Sequence, residues 1–269
     1  MSLRELFQLS PHGADTFVGE AHPYNWGGLY GGHIVAQALH AAHHTVQDGL
    51  QVHSLRAYFI RRGDNAEPIR YEVDRIRNGR SFSTRRVVAR QATGAILNLE
   101  ASFQVHEESA EQTTVMMPAG LPDPDTLTNE SWSPYFERCS VPSQVWGSSH
   151  RDGAGRSGGW FRVTEDLGDD EIINRCALSY ISDDLPTEAV INAVPSLQGA
   201  AEENTLFSAS LDHTVWFHRP VRASQWHFYE MSCQTYIGGR GLTFGYVFAD
   251  DGTHIATTAQ EVLVRRRTP

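Results

Sequence analysis

A carboxylate beside an imidazole is the pairing that most directly suggests general-base chemistry, and Asp212-His213 supplies one. Adjacent residues on a strand point to opposite faces, so the two cannot easily serve one site, and both read as structural. Gly153 to Gly158 spells G-x-G-x-x-G, but no convincing strand precedes it. It runs into Gly159-Trp160-Phe161-Arg162-Val163, which reads as strand where a dinucleotide loop needs a helix, so the match is accidental. A nucleophile elbow is missing, since Gly79-Arg80-Ser81-Phe82 is followed by Ser83.

Absent residue types narrow the chemistry further. All 22 basic residues are arginine, which excludes a Schiff-base lysine, a pyridoxal phosphate anchor, a P-loop and a protein kinase. Cys139, Cys176 and Cys233 are widely spaced, without a C-x-x-C pair, and read as reduced, mostly packed thiols. His33, His53 and His218 lack metal-ligand spacing and read as packing or hydrogen-bonding residues. Asn129-Glu130-Ser131 is a glycosylation sequon without a secretory context.

The elements that must position any site belong to an ordinary globular chain of 269 residues, 40% hydrophobic and 20% charged. Its net charge of −10 argues against nucleic acid as a partner. The opening Met1-Ser2-Leu3-Arg4-Glu5-Leu6-Phe7 has no apolar run followed by a cleavage site, and no uninterrupted apolar stretch is long enough to span a bilayer. The expectation is a cytoplasmic protein without membrane insertion.

Helical spacing of small residues predicts a first helix over 31–46, suited to lying on a sheet. Strands follow at 52–60, 69–77, 81–91 and 95–105. Asn78-Gly79 marks a hairpin because both residues tolerate positive φ. From 107 to about 158 the pattern dissolves into Pro, Gly, Ser and acidic residues. A second helix is predicted over 169–182, then loops near Leu185-Pro186 and Pro195, then strands at 210–218, 226–236, 242–249 and 254–264.

The halves repeat with a period of about 158 to 160 residues. Tyr58-Phe59-Ile60-Arg61-Arg62 matches Trp216-Phe217-His218-Arg219-Pro220, Asn78-Gly79-Arg80-Ser81-Phe82 matches Gly238-Gly239-Arg240-Gly241-Leu242, and Thr93-Gly94 matches Asp251-Gly252. A helix followed by an antiparallel meander, twice, is an α+β double hotdog. The expected boundaries are an N-terminal hotdog over 1–106, a connector over 107–158 and a C-terminal hotdog over 159–269, forming one unit.

With these residues in place, the chain resembles the bacterial acyl-CoA thioesterase II family of TesB-type double hotdog hydrolases. The first half carries the resemblance in Gly31-Gly32-His33-Ile34-Val35-Ala36-Gln37-Ala38-Leu39, Val52-His53-Ser54, Tyr58 to Asp64 and Arg77 to Val87. In the second half it lies in Ser182-Asp183, Leu211 to Pro220, Arg240-Gly241 and Ala259-Gln260-Glu261. The order and separations of these pieces make the signal specific.

The resemblance implies hydrolysis of acyl-CoA to free fatty acid and CoA, with no covalent intermediate, metal or cofactor. It implies an Asp, a Thr or Ser, and a Gln around one water, which fall on Asp183, Ser210 and Gln260. Serine departs from the threonine expected at position 210, retaining the hydroxyl but losing the methyl that stiffens the rotamer. Without the resemblance, Asp183 reads as a loop carboxylate beside Asp184 and Pro186, and Ser210 and Gln260 as ordinary strand residues.

Backbone N–H groups at the Gly31-Gly32 helix entry are candidates for oxyanion stabilisation, where glycine would also admit the thioester closely. Arg61, Arg62, Arg80, Arg85, Arg86 and Arg240 are candidates for CoA phosphates, with Arg80 and Arg240 preferred. A homo-oligomer is expected from the resemblance alone. Two rivals remain open: a hotdog enoyl-CoA hydratase or dehydratase, whose usual Asp/His or Glu/His pair finds no histidine near Asp183, and a non-catalytic acyl-CoA binding protein.

Overall fold

The computed structural model describes residues 1–146 and 155–267. The chain divides into two compact units that do not follow its order. One comprises Met1–Gln112, Leu167–Ile181 and Thr214–Arg222; the other comprises Thr113–Asp166, Ser182–His213 and Ala223–Pro269.

The first unit opens with a helical turn α1 (Leu3–Leu6), closed by a reciprocal Ser2/Glu5 capping box, and strands β1 (Leu9–Pro11) and β2 (Thr16–Gly19). Helix α2 (Gly31–His43) is followed by β3 (Leu50–Phe59), β4 (Ile69–Asn78), β5 (Phe82–Gln91) and β6 (Gly94–Val105). The antiparallel order is β1-β2-β4-β5-β6-β3.

Helix α2 is buried almost all round, with Gly32, Ile34, Val35, Ala36, Ala38, Leu39, Ala41 and Ala42 enclosed. Sheet covers one side and a second helix of the same unit covers the other. Small side chains let both approach. An added Cβ at Gly32 would lie 2.2 Å from the Tyr180 carbonyl oxygen, which also accepts from Tyr30 Oη at 2.7 Å.

Polar groups on this buried face differ: among the described residues the ring nitrogens of fully buried His33 meet no hydrogen-bond partner, whereas Gln37 is paired. Gln37 donates to Leu6 O at 2.7 Å and accepts from Tyr71 Oη at 2.6 Å. Arg85, only 1% exposed, spreads five donated hydrogen bonds over Thr45, Arg77, Thr84 and Asn78, tying the chain after α2 to the β4–β5 hairpin.

That hairpin differs from the positive-φ reading of Asn78-Gly79. Among the described residues neither has positive φ, whereas Gly238 and Gly239, their counterparts in the repeat, have φ of 61° and 77°. Glycine is required at 79 by space: an added Cβ would lie 2.7 Å from Phe82 O.

The second unit contains a 3-10 turn (Pro124–Thr126), β7 (Phe136–Ser140), the short α3 (Ser143–Trp146) and β8 (Arg156–Val163). The G-x-G-x-x-G stretch begins outside the described residues, and its end forms the start of β8. Helix α4 (Glu171–Ile181) belongs to the first unit and is the helix that packs on α2. Helices α5 (Pro186–Ala193) and α6 (Pro195–Glu202) occupy the stretch expected to be loop. Pro186 and Pro195 sit in the first turns, where a missing N–H costs nothing, so they start helices where the sequence reading made them breaks.

The remaining strands are β9 (Leu206–Ser210), β10 (Asp212–Phe217), β11 (His227–Ile237), β12 (Arg240–Ala249) and β13 (His254–Arg266). In the second unit the antiparallel order is β9-β13-β12-β11-β8-β7. Helix α5 lies against β8, β11, β12 and β13. Val190 of α5 and Leu197 of α6 pack with Val262 and Val264 of β13, while Trp146, Trp160, Phe228 and Phe248 form a separate aromatic core. Sheet around helix in both units is the hotdog arrangement. No described helix is long and apolar enough to cross a membrane.

Candidate active site

Alternation along β13 buries Thr258, Gln260 and Val262 on one face. Strand β9 pairs antiparallel with β13 so that Ser210 lies opposite Val262, which makes Ser210 and Gln260 diagonal neighbours on that face. The ladder then breaks. Leu211 N–H donates to Glu261 O at 2.9 Å, and the Asp212 carboxylate accepts the Glu261 N–H at 2.7 Å in place of a backbone carbonyl. The single strand expected from 210 to 218 is therefore two, divided at Leu211.

Asp183 arrives from the link between α4 and α5. Tyr229 Oη donates to the Ser182 carbonyl at 2.9 Å and lies 2.9 Å from Thr258 Oγ1, so β11 and β13 both hold this link. Burial pushes the Tyr229 phenol above its ordinary range, and Asp183 and Asp184 add to the shift.

These placements bring Asp183, Ser210 and Gln260 together within the second unit. Gln260 Nε2 donates to Asp183 Oδ1 at 2.8 Å and to Ser210 Oγ at 2.9 Å, and Ser210 Oγ donates to Asp183 Oδ1 at 3.2 Å. Gln260 is fully buried, while Asp183 and Ser210 are half-buried. The result is a carboxylate, a hydroxyl and an amide converging at a partly accessible point, the set needed to orient a water and accept its proton.

Asp184 belongs to another network. It accepts from Trp132 Nε1 at 2.6 Å and Arg138 Nη1 at 2.9 Å, and Arg138 also pairs with Glu188. Burial raises the Asp184 carboxyl above its usual range, opposed by Arg138 and by the Trp132 hydrogen bond.

The other sequence candidates lie on other elements. Gly31 and Gly32 start α2 in the first unit, where the space beside Gly32 is filled by Tyr180. Arg80 is exposed in the β4–β5 loop of that unit. Arg240 begins β12 in the second unit and pairs with Glu261 at 3.0 Å. Among the other phosphate candidates, Arg86 pairs with Asp74, and Arg61 and Arg62 donate to backbone carbonyls of Ala95 and Trp26. Asp212 and His213 separate as strand alternation requires: Asp212 is half-buried, whereas His213 is fully buried, 2.8 Å from Ser182 Oγ.

Cys139 and Cys176 are buried free thiols and Cys233 is half-buried. Sequence reasoning did not single out Trp132, Arg138 or Tyr229. Only the bulk and polar tip of each gave a signal, and that is shared by many residues outside any site.

Two family models together match most of the chain. Residues 21–104 match the acyl-CoA thioesterase N-terminal domain, and residues 107–264 match the acyl-CoA thioesterase C-terminal domain. The chain belongs to the acyl-CoA thioesterase II family. It is 32% identical to acyl-CoA thioesterase 2 of Haemophilus influenzae, covering 93% of this chain and 92% of that one. With human acyl-coenzyme A thioesterase 8 it shares 31% identity over 97% of this chain and 88% of the relative.

Among solved structures, acyl-CoA thioesterase II TesB2 from Mycobacterium marinum superposes with a TM-score of 0.87 at 34% identity, covering 99% of both chains. A hot dog fold protein of unknown function from Alicyclobacillus acidocaldarius superposes at 0.81 with 20% identity, covering 99% of this chain and 98% of that one, which supports the double hotdog fold alone.

Proposed function

We propose that this protein hydrolyses fatty acyl-CoA thioesters to free acid and CoA, with Asp183 as the general base for a water positioned by Ser210 and Gln260. The observation that carries the reading is Gln260 Nε2 bridging Asp183 Oδ1 at 2.8 Å and Ser210 Oγ at 2.9 Å. The relatives named as acyl-CoA thioesterases supply the substrate class.

The chemistry balances without a covalent enzyme intermediate. Water oxygen attacks the thioester carbon while Asp183 takes one water proton, and the carbonyl electron pair moves onto oxygen. Collapse of the tetrahedral intermediate reforms the carbonyl and breaks the C–S bond, and the proton held by Asp183 passes to the leaving CoA thiolate, which returns the carboxylate to its starting state. Ser210 and Gln260 reduce the freedom of the attacking water and hold Asp183 in its acceptor state, which favours the transition state through orientation. A cytoplasmic location and assembly into a homo-oligomer belong to the same reading.

The test is thiol release from short, medium and long acyl-CoAs by the parent and by Asp183→Asn, with folding of the variant checked by circular dichroism. Turnover by the parent and its loss in the folded variant are expected. Acyl-CoA binding without thiol release overturns the reading and favours a binding protein. Addition or removal of water at carbon, seen by product analysis, favours the hydratase.

A further inference from the structure

Among the described residues, two buried polar atoms behind the Asp183, Ser210 and Gln260 cluster meet no hydrogen-bond partner: Gln260 Oε1 and His213 Nδ1. Both residues are 0% exposed, so neither atom is positioned to meet solvent or a substrate water. Buried polar atoms are ordinarily satisfied, and this pair is complementary, since an amide oxygen only accepts and an imidazole nitrogen donates in one of its two tautomers.

Strand β10, which carries His213, neighbours β13, which carries Gln260. Leu211 and Asp212 both bond the backbone of Glu261, the residue after Gln260, and His213 is the next residue of β10. The Gln260 side chain acts on the imidazole in the sense of a hydrogen-bond acceptor, favouring its protonated form against the effect of burial. On its far side the ring is fixed by Ser182 Oγ, 2.8 Å from Nε2.

The chemistry leaves one consistent arrangement. A carboxylate accepts and cannot donate, so the amide nitrogen of Gln260 must face Asp183, as observed at 2.8 Å. The amide oxygen then faces away, requiring a donor. With the proton on Nδ1, the Nε2 atom becomes the acceptor for the Ser182 hydroxyl.

We propose that His213 is a positioning residue: its Nδ1–H donates to Gln260 Oε1 and thereby fixes which end of the amide meets Asp183 and Ser210. The role rests on the thioester-hydrolase reading above. It makes the relay Ser182–His213–Gln260–Asp183 a device for orientation, through which no proton needs to pass. Burial keeps the imidazole neutral, with its pKa pushed down to about 4.

The test combines a spectroscopic and a kinetic measurement on the full chain. Nitrogen-15 NMR of the His213 ring at neutral pH is expected to show a protonated Nδ1 and an unprotonated Nε2. The opposite tautomer, or a doubly protonated ring, overturns the assignment whether or not the protein turns over acyl-CoA. In thiol-release assays, His213→Phe is expected to lower kcat at least about tenfold while KM stays within about twofold.

His213→Asn, whose amide nitrogen can stand in for Nδ1, should restore most of that loss. In a Gln260→Ala background, His213→Phe should cost little more. An equal loss in that background, or failure of the Asn variant to rescue, would show a merely structural role. If His213→Phe does not fold, the Asn variant and the NMR measurement decide. A parent without thioester hydrolysis but with the Nδ1–H tautomer removes the functional reading and leaves the hydrogen bond standing.

Discussion

Asp183 and Asp184 are adjacent in the chain, yet their carboxylates serve separate networks: Oδ1 of Asp183 meets Gln260 at 2.8 Å, and Oδ2 of Asp184 meets Arg138 at 2.9 Å. Substitution should therefore separate activity from stability. Asp183→Asn should reduce kcat by about 10²- to 10⁴-fold, the usual loss of a general base. Asp184→Asn should cost about 1–3 kcal/mol of stability, because Arg138 loses a charged acceptor while retaining Glu188. Urea unfolding beside thiol-release kinetics distinguishes them, and the reverse pattern would place the base on Asp184.

Arg85 is a buried cation whose acceptors are a hydroxyl, a side-chain amide and three backbone carbonyls, with no carboxylate among them. Its contribution is structural. Arg85→Met should fill much of the space but leave those acceptors dry, costing about 2–4 kcal/mol. Denaturant unfolding checks this, and a loss near zero would mean that water readily replaces the guanidinium.

The helix over which α4 packs offers a third test. Gly32→Ala would place a Cβ at 2.2 Å from the Tyr180 carbonyl oxygen, which is backbone and cannot rotate away. A destabilisation of about 1–3 kcal/mol is expected, in the range for overpacked sites. Ala36→Gly on the same helix serves as the control, since it removes a methyl without creating a clash. Thermal melts should show both variants destabilised, with new strain only in the first.

What could be read in the sequence tracks how local the cause was. Helix α2 and the strands from β3 to β6 were legible because alternation and small-residue spacing report directly on which face is buried. Helices α5 and α6 are hidden in the sequence because proline also ends helices, whereas here its fixed φ and missing N–H suit a first helical turn. Asn78-Gly79 marked a real hairpin, but the reason for glycine was the approach of Phe82 O. The candidate site was named only through the family resemblance: Asp183, Ser210 and Gln260 are separated by 27 and 50 positions, and no local spacing foretells that the three side chains meet. Strand alternation separated Asp212 from His213, but could not show that Ser182 and Gln260 wait on the buried side.

Acid should weaken the fold through its buried histidines. Burial holds His33 down to about 3 and His40, His213 and His227 to about 4, against an ordinary value of 6.5. Below 6.5 the unfolded chain binds protons that the folded chain refuses, so stability present at neutral pH is lost as pH falls from 6.5 toward 4. Each such group adds a slope of up to about 1.4 kcal/mol per pH unit within its window. Asp184, Glu188 and Glu230 oppose this at the acid end, because burial raises their values and the folded state then binds the extra proton. Urea midpoints should be lower at pH 5 than at pH 7; equal midpoints would show that these imidazoles reach solvent.

Ser210 ends β9, where an extended backbone suits a β-branched side chain, and its hydroxyl is 3.2 Å from Asp183 Oδ1. Threonine would keep the oxygen and limit the rotamers that aim it elsewhere. Ser210→Thr should therefore hold or raise kcat by up to about tenfold, whereas Ser210→Ala should lower it by about tenfold or more by removing one of two groups that orient the water. The Ser210 hydroxyl also accepts from Gln260 at 2.9 Å, so the alanine variant frees one amide hydrogen and loosens the bridge to Asp183. Parallel kcat measurements on one acyl-CoA decide the matter. An alanine variant as active as the parent would remove Ser210 from the site, and a threonine variant slower than the parent would mean that the added methyl occupies the space the water needs.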